Sequence, residues 1–88
     1  MNHTEMIPGK LYRSENHLYC LKEGQYYWLP YDHFAQRYIS PWKRIAADTL
    51  AGMNLSLVTA RNRTPGIRIH RDDAGRASRI EILTYGSQ

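Results

Sequence analysis

The stretch HLYCLKEGQYYWL, residues 17–29, decides how the chain is read. Two apolar, aromatic-rich runs are separated by Glu23-Gly24, where glycine supplies the positive φ that a compact turn needs. The runs 17–22 and 25–29 therefore read as two strands of a hairpin. Setting Lys22 opposite Gln25 brings Tyr19 to Trp28 and Leu21 to Tyr26 on one side, and Cys20 to Tyr27 and Leu18 to Leu29 on the other. Both faces of this hairpin are apolar.

Upstream, KLYR (10–13) is a short strand joined to the hairpin by the turn SEN, and residues 1–9, with Pro8 and Gly9, read as a flexible lead-in. Downstream, Pro30 ends the strand because it cannot donate to a ladder, and Asp32 is placed to cap a short helix starting at His33. Ser40-Pro41 combines a favoured N-cap with the favoured first helical residue, so a second helix is expected from Pro41 to about Ala51, closed by Gly52. Trp42, Ile45, Ala46, Thr49, Leu50 and Met53 recur at spacings of three and four, the stripe of a helix packed on a sheet.

The remaining chain reads as strands. NLSLVTA (54–60) alternates, Pro65-Gly66 turns, and IRIHR (67–71) is a second alternating run that pairs with residues 78–85 across DDAGRA. Placing Ile69 opposite Ile80 also sets Ile67 against Ile82 and Arg68 against Glu81, matching apolar with apolar and opposite charges; a slip of one residue destroys both. The expected fold class is α+β: a small antiparallel sheet of two or three strands, a broken helical segment over 33–51 packed on one face, then three more strands. Residues 10–88 form a single domain.

At 88 residues the chain has room for one modest core. Seven tyrosines, two tryptophans and one phenylalanine must supply much of the buried area. No apolar run has the length of about 18 to 20 residues that a membrane-spanning helix needs, and the single cysteine excludes an intramolecular disulfide. These features predict a cytoplasmic protein with no membrane partner.

Charge and aromatics are unevenly placed. All aromatics but Tyr85 lie between Tyr12 and Trp42, whereas residues 61–79 hold Arg61, Arg63, Arg68, Arg71, Arg76 and Arg79 against Asp72 and Asp73. The net charge of +4 is thus concentrated in the second hairpin and its approach. An arginine fork suits phosphate and carboxylate alike, so these six residues are the candidate contacts for nucleic acid or an acidic protein surface. Tyr19, Tyr27, Trp28 and Phe34 are assigned to the core, leaving Tyr12, Tyr26, Tyr31 and Tyr38 as surplus; Tyr26, Tyr31 and Tyr38 are the candidate aromatic contacts.

Catalysis has little support. Cys20, His17, His70 and the Asp32-His33 pair are reactive types, but no glycine-framed nucleophile, carboxylate pair or phosphate loop accompanies them. The histidines, His3 included, are isolated, so neither a metal nor a cofactor is expected. Two roles remain. One is a small non-enzymatic nucleic-acid-binding protein that uses its arginine-rich hairpin; the other is a protein-binding inhibitor or adaptor, of the kind by which phages and mobile elements block host nucleic-acid-handling complexes. An edge strand, either 10–13 or 54–60, also offers a route to a homodimer.

Overall fold

A computed structural model describes residues 2–85. Among the described residues ten strands are present: β1 (Leu11–Ser14), β2 (His17–Lys22), β3 (Gln25–Leu29), β4 (Tyr31–Asp32), β5 (Arg37–Ile39), β6 (Lys43–Arg44), β7 (Ser56–Leu57), β8 (Ile67–Arg71), β9 (Ala77–Ile82) and β10 (Thr84–Tyr85). Helical structure among the described residues is confined to a 3-10 turn, His3–Glu5, and one four-residue helix, α1 (Ala47–Leu50). The protein is a nearly all-β domain, not the α+β fold expected from the sequence, and among the described residues no helix packs on a sheet.

Five strands in the order β6-β3-β2-β1-β7 form the central antiparallel sheet. The hairpin at its centre has the register read from the sequence, Tyr19 opposite Trp28, Cys20 opposite Tyr27 and Lys22 opposite Gln25. Its two apolar faces are covered by separate cores. One face holds Leu18 and Leu29 with Tyr31, Tyr38, Val58 and Ile67; the other holds Tyr12 and Tyr19 with Met6, Leu50 and Leu55. Each fully buried aliphatic side chain of this kind contributes about 1.5–3 kcal/mol.

These two cores explain why the expected helix over 41–51 does not form. Trp42 packs on the first cluster and Ile45 on the second, on opposite faces of the sheet. A helix carries its apolar stripe to one side, whereas an extended segment sends alternate residues to both. The chain accordingly passes through a cis Ser40-Pro41 peptide into edge strand β6, pairing Lys43 with Trp28 and Arg44 with Tyr27, and coils only from Ala47. Lysine and arginine on that edge also discourage pairing with another chain.

The helix expected at 33–39 is replaced by a second hairpin. Tyr31 pairs with Tyr38 and Asp32 with Arg37, so both tyrosines enter the core, at 6% and 0% exposure. Asp32 does receive backbone N–H groups, from Phe34 at 2.9 Å and Ala35 at 3.3 Å, but it closes a turn with Gln36 at a φ of 56°. Strand β10 then pairs with β5 in parallel, making a three-stranded sheet β10-β5-β4.

The third sheet is the two-stranded ribbon β8-β9, with Ile67 opposite Ile82, Arg68 opposite Glu81 and Ile69 opposite Ile80, the register expected from matching apolar with apolar and opposite charges. Its second strand ends at Ile82, short of the 78–85 expected, because the chain leaves at Leu83 to join β5. Only Ser56 and Leu57 of the expected strand 54–60 are extended; they pair with Arg13 and Tyr12. This pairing closes the 10–13 edge, which lies inside the sheet. Residues 2–9, expected as a flexible lead-in, carry the 3-10 turn and bury Met6 at 5% exposure, while the Ile7 N–H donates to the Tyr12 hydroxyl at 2.9 Å. No helix among the described residues is long and apolar enough to cross a membrane.

Candidate functional site

The ribbon starts in the core and runs out of it. Ile67 is buried, Ile69 and Ile82 are half-buried against the first cluster, and every residue from 71 to 80 is exposed. The alternation of an antiparallel pair places Arg68, His70, Arg79 and Glu81 together on the face opposite the isoleucines. Arg71 and Arg76 stand at the far turn, where a register shift between His70 and Arg71 interrupts the ladder. Four of the six candidate arginines are therefore carried by one two-stranded element.

Arg61 and Arg63 are placed differently. Both are exposed and flank Asn62, in a turn closed by hydrogen bonds between Thr59 and Asn62. The Asn62 side chain accepts from Arg13 at 3.0 Å, so this turn is tied to the central sheet and forms a basic group beside the ribbon's point of departure.

Acidic residues temper the ribbon's charge. Glu81 accepts a 2.8 Å hydrogen bond from His70 and lies 3.7 Å from Arg68, and Asp72 lies 3.8 Å from Arg76. The hydrogen bond from His70, with the nearby charges of Arg68 and Arg79, holds the Glu81 carboxyl below the usual carboxylate range. Asp72 also accepts from the Ala74 and Arg76 N–H groups, which shapes the turn. Arg71 donates to the Gly75 carbonyl at 3.0 Å, an uncharged partner, and keeps its full charge at the tip.

The aromatic candidates do not join the arginines. Tyr31 and Tyr38 are core residues, stacked edge-on with ring centroids 5.0 Å apart. Tyr26 is half-buried on the second cluster, against His3, while the ribbon is rooted in the first cluster on the other face of the sheet. Tyr12, also counted as surplus, is 1% exposed. Phe34, assigned to the core from sequence, is instead fully exposed at 101%, at the tip of the β4-β5 turn. Its place inside the four-residue turn between paired strands is the signal that reading it as helical concealed.

His17 and His33 have structural partners. His17 Nδ1 accepts from the Tyr31 N–H at 3.0 Å, and the His33 ring lies edge-on to Tyr31. Cys20 is half-buried, and burial pushes its thiol pKa up. Among the described residues no three of His, Cys, Asp and Glu cluster in a way that would hold a metal ion. Comparisons with protein-family models, curated proteins and solved structures found no match for this chain.

Proposed function

We propose that this is a non-enzymatic nucleic-acid-binding protein of the cytoplasm, and that the β8-β9 ribbon engages the phosphate backbone at a groove of a duplex. The observation that carries this reading is the ribbon itself: a two-stranded element bearing Arg68, Arg71, Arg76 and Arg79, exposed continuously from residue 71 to 80. A two-stranded ribbon is one of the few protein elements that the major groove of B-DNA admits. Five residues of β8 span about 17 Å, or roughly five base-pair steps of 3.4 Å. Burial of Tyr31 and Tyr38 removes the stacking platform that a single-strand binder would use, and so favours a double-stranded target.

Fluorescence anisotropy on short duplexes over a salt series tests the proposal. Affinity should fall steeply with salt, and Arg71→Ala or Arg79→Ala should each reduce the log–log slope by about one. Affinity that is indifferent to salt, or no binding at low salt, rejects the ribbon as a phosphate contact. Phe34 favours a second reading, the protein-binding inhibitor or adaptor, since a fully exposed phenylalanine on a tight turn is a ready anchor for a hydrophobic pocket. In that case Phe34→Ala abolishes capture of a protein partner from nuclease-treated lysate, while the arginine substitutions spare it.

A further inference from the structure

A cleft of about 550 Å³ opens on the sheet face that carries Leu18 and Leu29, further along the hairpin toward the Glu23-Gly24 turn. Strand register determines its floor. Leu11 pairs with Cys20 and Cys20 with Tyr27, so these three side chains form a row across three strands. Lys22 lies two residues beyond Cys20 and shares its face. Trp42, from the segment entering β6, also lines the cleft, and Lys10 joins Lys22 there against a single acid, Glu23.

The lining thus combines an apolar, aromatic floor with a surplus of positive charge. Neither lysine makes an ion pair among the described residues. The Lys22 ammonium is close enough to partly offset the effect of burial on the Cys20 thiol, so its charge reaches the floor. A volume of about 550 Å³ lies within the span of small-ligand sites, roughly 300–1,000 Å³. Flat rings gain from contact with aromatic walls, and an ammonium at the rim favours an anion over a neutral or cationic isostere.

We infer that this cleft binds a small aromatic anion, with its ring against Tyr27 and Trp42 and its single carboxylate, sulfonate or phosphate held by Lys10 and Lys22. The site lies apart from the ribbon and does not depend on the nucleic-acid reading.

Cys20 is the only cysteine in the chain and lines the cleft, so its alkylation by iodoacetamide, run in mildly alkaline buffer that ionises part of the thiol and followed by mass spectrometry, reports occupancy. Three probes share one ring and differ in charge: indole-3-acetate, indole-3-acetamide and tryptamine. Indole-3-acetate should protect Cys20 saturably and at the lowest concentration, the neutral amide should need more, and the cationic amine most. Lys10→Ala and Lys22→Ala should each weaken protection by the acetate about two- to fivefold, the range for a solvent-exposed ion pair, and leave the amide unchanged. Because removing Lys22 alters the thiol itself, protection is taken as the ratio of rates with and without probe within each variant. Absence of protection by the acetate, or equal protection by all three probes in the wild-type chain, overturns the inference without recourse to any variant.

Discussion

Replacing Tyr38 with phenylalanine removes one oxygen atom and should destabilise the fold by about 2–3 kcal/mol. The ring is fully buried and would keep its packing against Tyr31, so the change isolates the hydroxyl. That hydroxyl donates to the Asn16 carbonyl at 2.7 Å and is hydrogen-bonded to the Thr64 hydroxyl. A phenol has one proton, and the Asn16 carbonyl can only accept, so the Tyr38 proton goes to Asn16 and Thr64 donates in return. Phenylalanine leaves both groups unpartnered. Thr64, at 1% exposure, has no access to water, and a stranded buried group costs about 1–3 kcal/mol. Half-buried Asn16 recovers part of its loss through solvent. In urea, with a slope of about 1–3 kcal/mol/M for a small domain, the midpoint should fall by about 0.7–3 M. Thr64→Val should cost about 1 kcal/mol, and the double variant less than the sum of the two, because the second change deletes a group the first has already stranded.

The same residue supplies a pH test. Burial pushes the Tyr38 phenol up to about 12 from its ordinary 10.0. The native state therefore holds this proton more tightly than the unfolded chain, and the stabilisation is complete below the ordinary value and lost as pH rises through the folded one. Between the two the loss is about 1.4 kcal/mol per pH unit. The stability gap between wild type and Tyr38→Phe should accordingly shrink above about pH 10. A midpoint shift equivalent to less than about 0.5 kcal/mol, the scatter of neutral surface changes, refutes the hydrogen-bond assignment. A gap that stays constant into strong alkali refutes the buried phenol.

Two further outcomes follow from the geometry. Gly66→Ala should lower the urea midpoint, at a cost of about 1–3 kcal/mol, because a Cβ there would lie 2.6 Å from Cε2 of Tyr38 and 3.1 Å from Cε1 of Tyr31, rings that have nowhere to withdraw; an unchanged midpoint would show that the rings yield. At Glu81 the depressed carboxyl stabilises the fold above the ordinary carboxylate pKa, and this contribution is lost as pH falls through the lower folded value. His70→Ala should raise the Glu81 midpoint in a carboxyl-detected NMR titration, and an unmoved midpoint would remove His70 as its cause.

Strand pairing was the most legible part of this sequence, and helices the least. In 17–29 the turn at Glu23-Gly24 sets the register, and in 67–82 the pairs Ile67–Ile82, Arg68–Glu81 and Ile69–Ile80 match only in the register observed. The segment 41–53 misleads for the opposite reason: Trp42, Ile45, Leu50 and Met53 fall at helical spacing, yet Trp42 serves one core and the other three serve the second. A one-dimensional pattern shows that residues are apolar without showing which side of a sheet will claim them. The arginines of the ribbon are visible in the sequence as a charge cluster over 61–79, whereas Glu81, just beyond it, sits among Arg68, His70 and Arg79 only through strand pairing. The burial of Tyr31 and Tyr38 is hidden in the sequence because Asp32 reads as a helix cap, whereas the turn it closes brings the two rings together in the interior. The cleft had a trace in sequence, since Cys20 and Lys22 alternate onto one face, but Leu11 and Trp42 reach it only through the tertiary fold.

Among the described residues the ribbon is held at its root, where Ile67, Ile69 and Ile82 meet the first core, the Leu83 N–H donates to the Gly66 carbonyl at 2.9 Å and the Leu83 carbonyl accepts from the Tyr38 N–H at 2.8 Å. Beyond that clasp, residues 71–80 pack against nothing the core requires, and substitutions at such positions usually change stability by less than about 0.5 kcal/mol. The molecule is thereby divided into a part that cannot vary cheaply and a part that can. In the strands of 17–29 most changes disturb one of two cores, whereas the outer ribbon can exchange its side chains, or lengthen its turn, while the domain folds as before. A lineage carrying this architecture is free to retarget its contact surface in small steps, each selected for what it touches and not for whether the chain still folds.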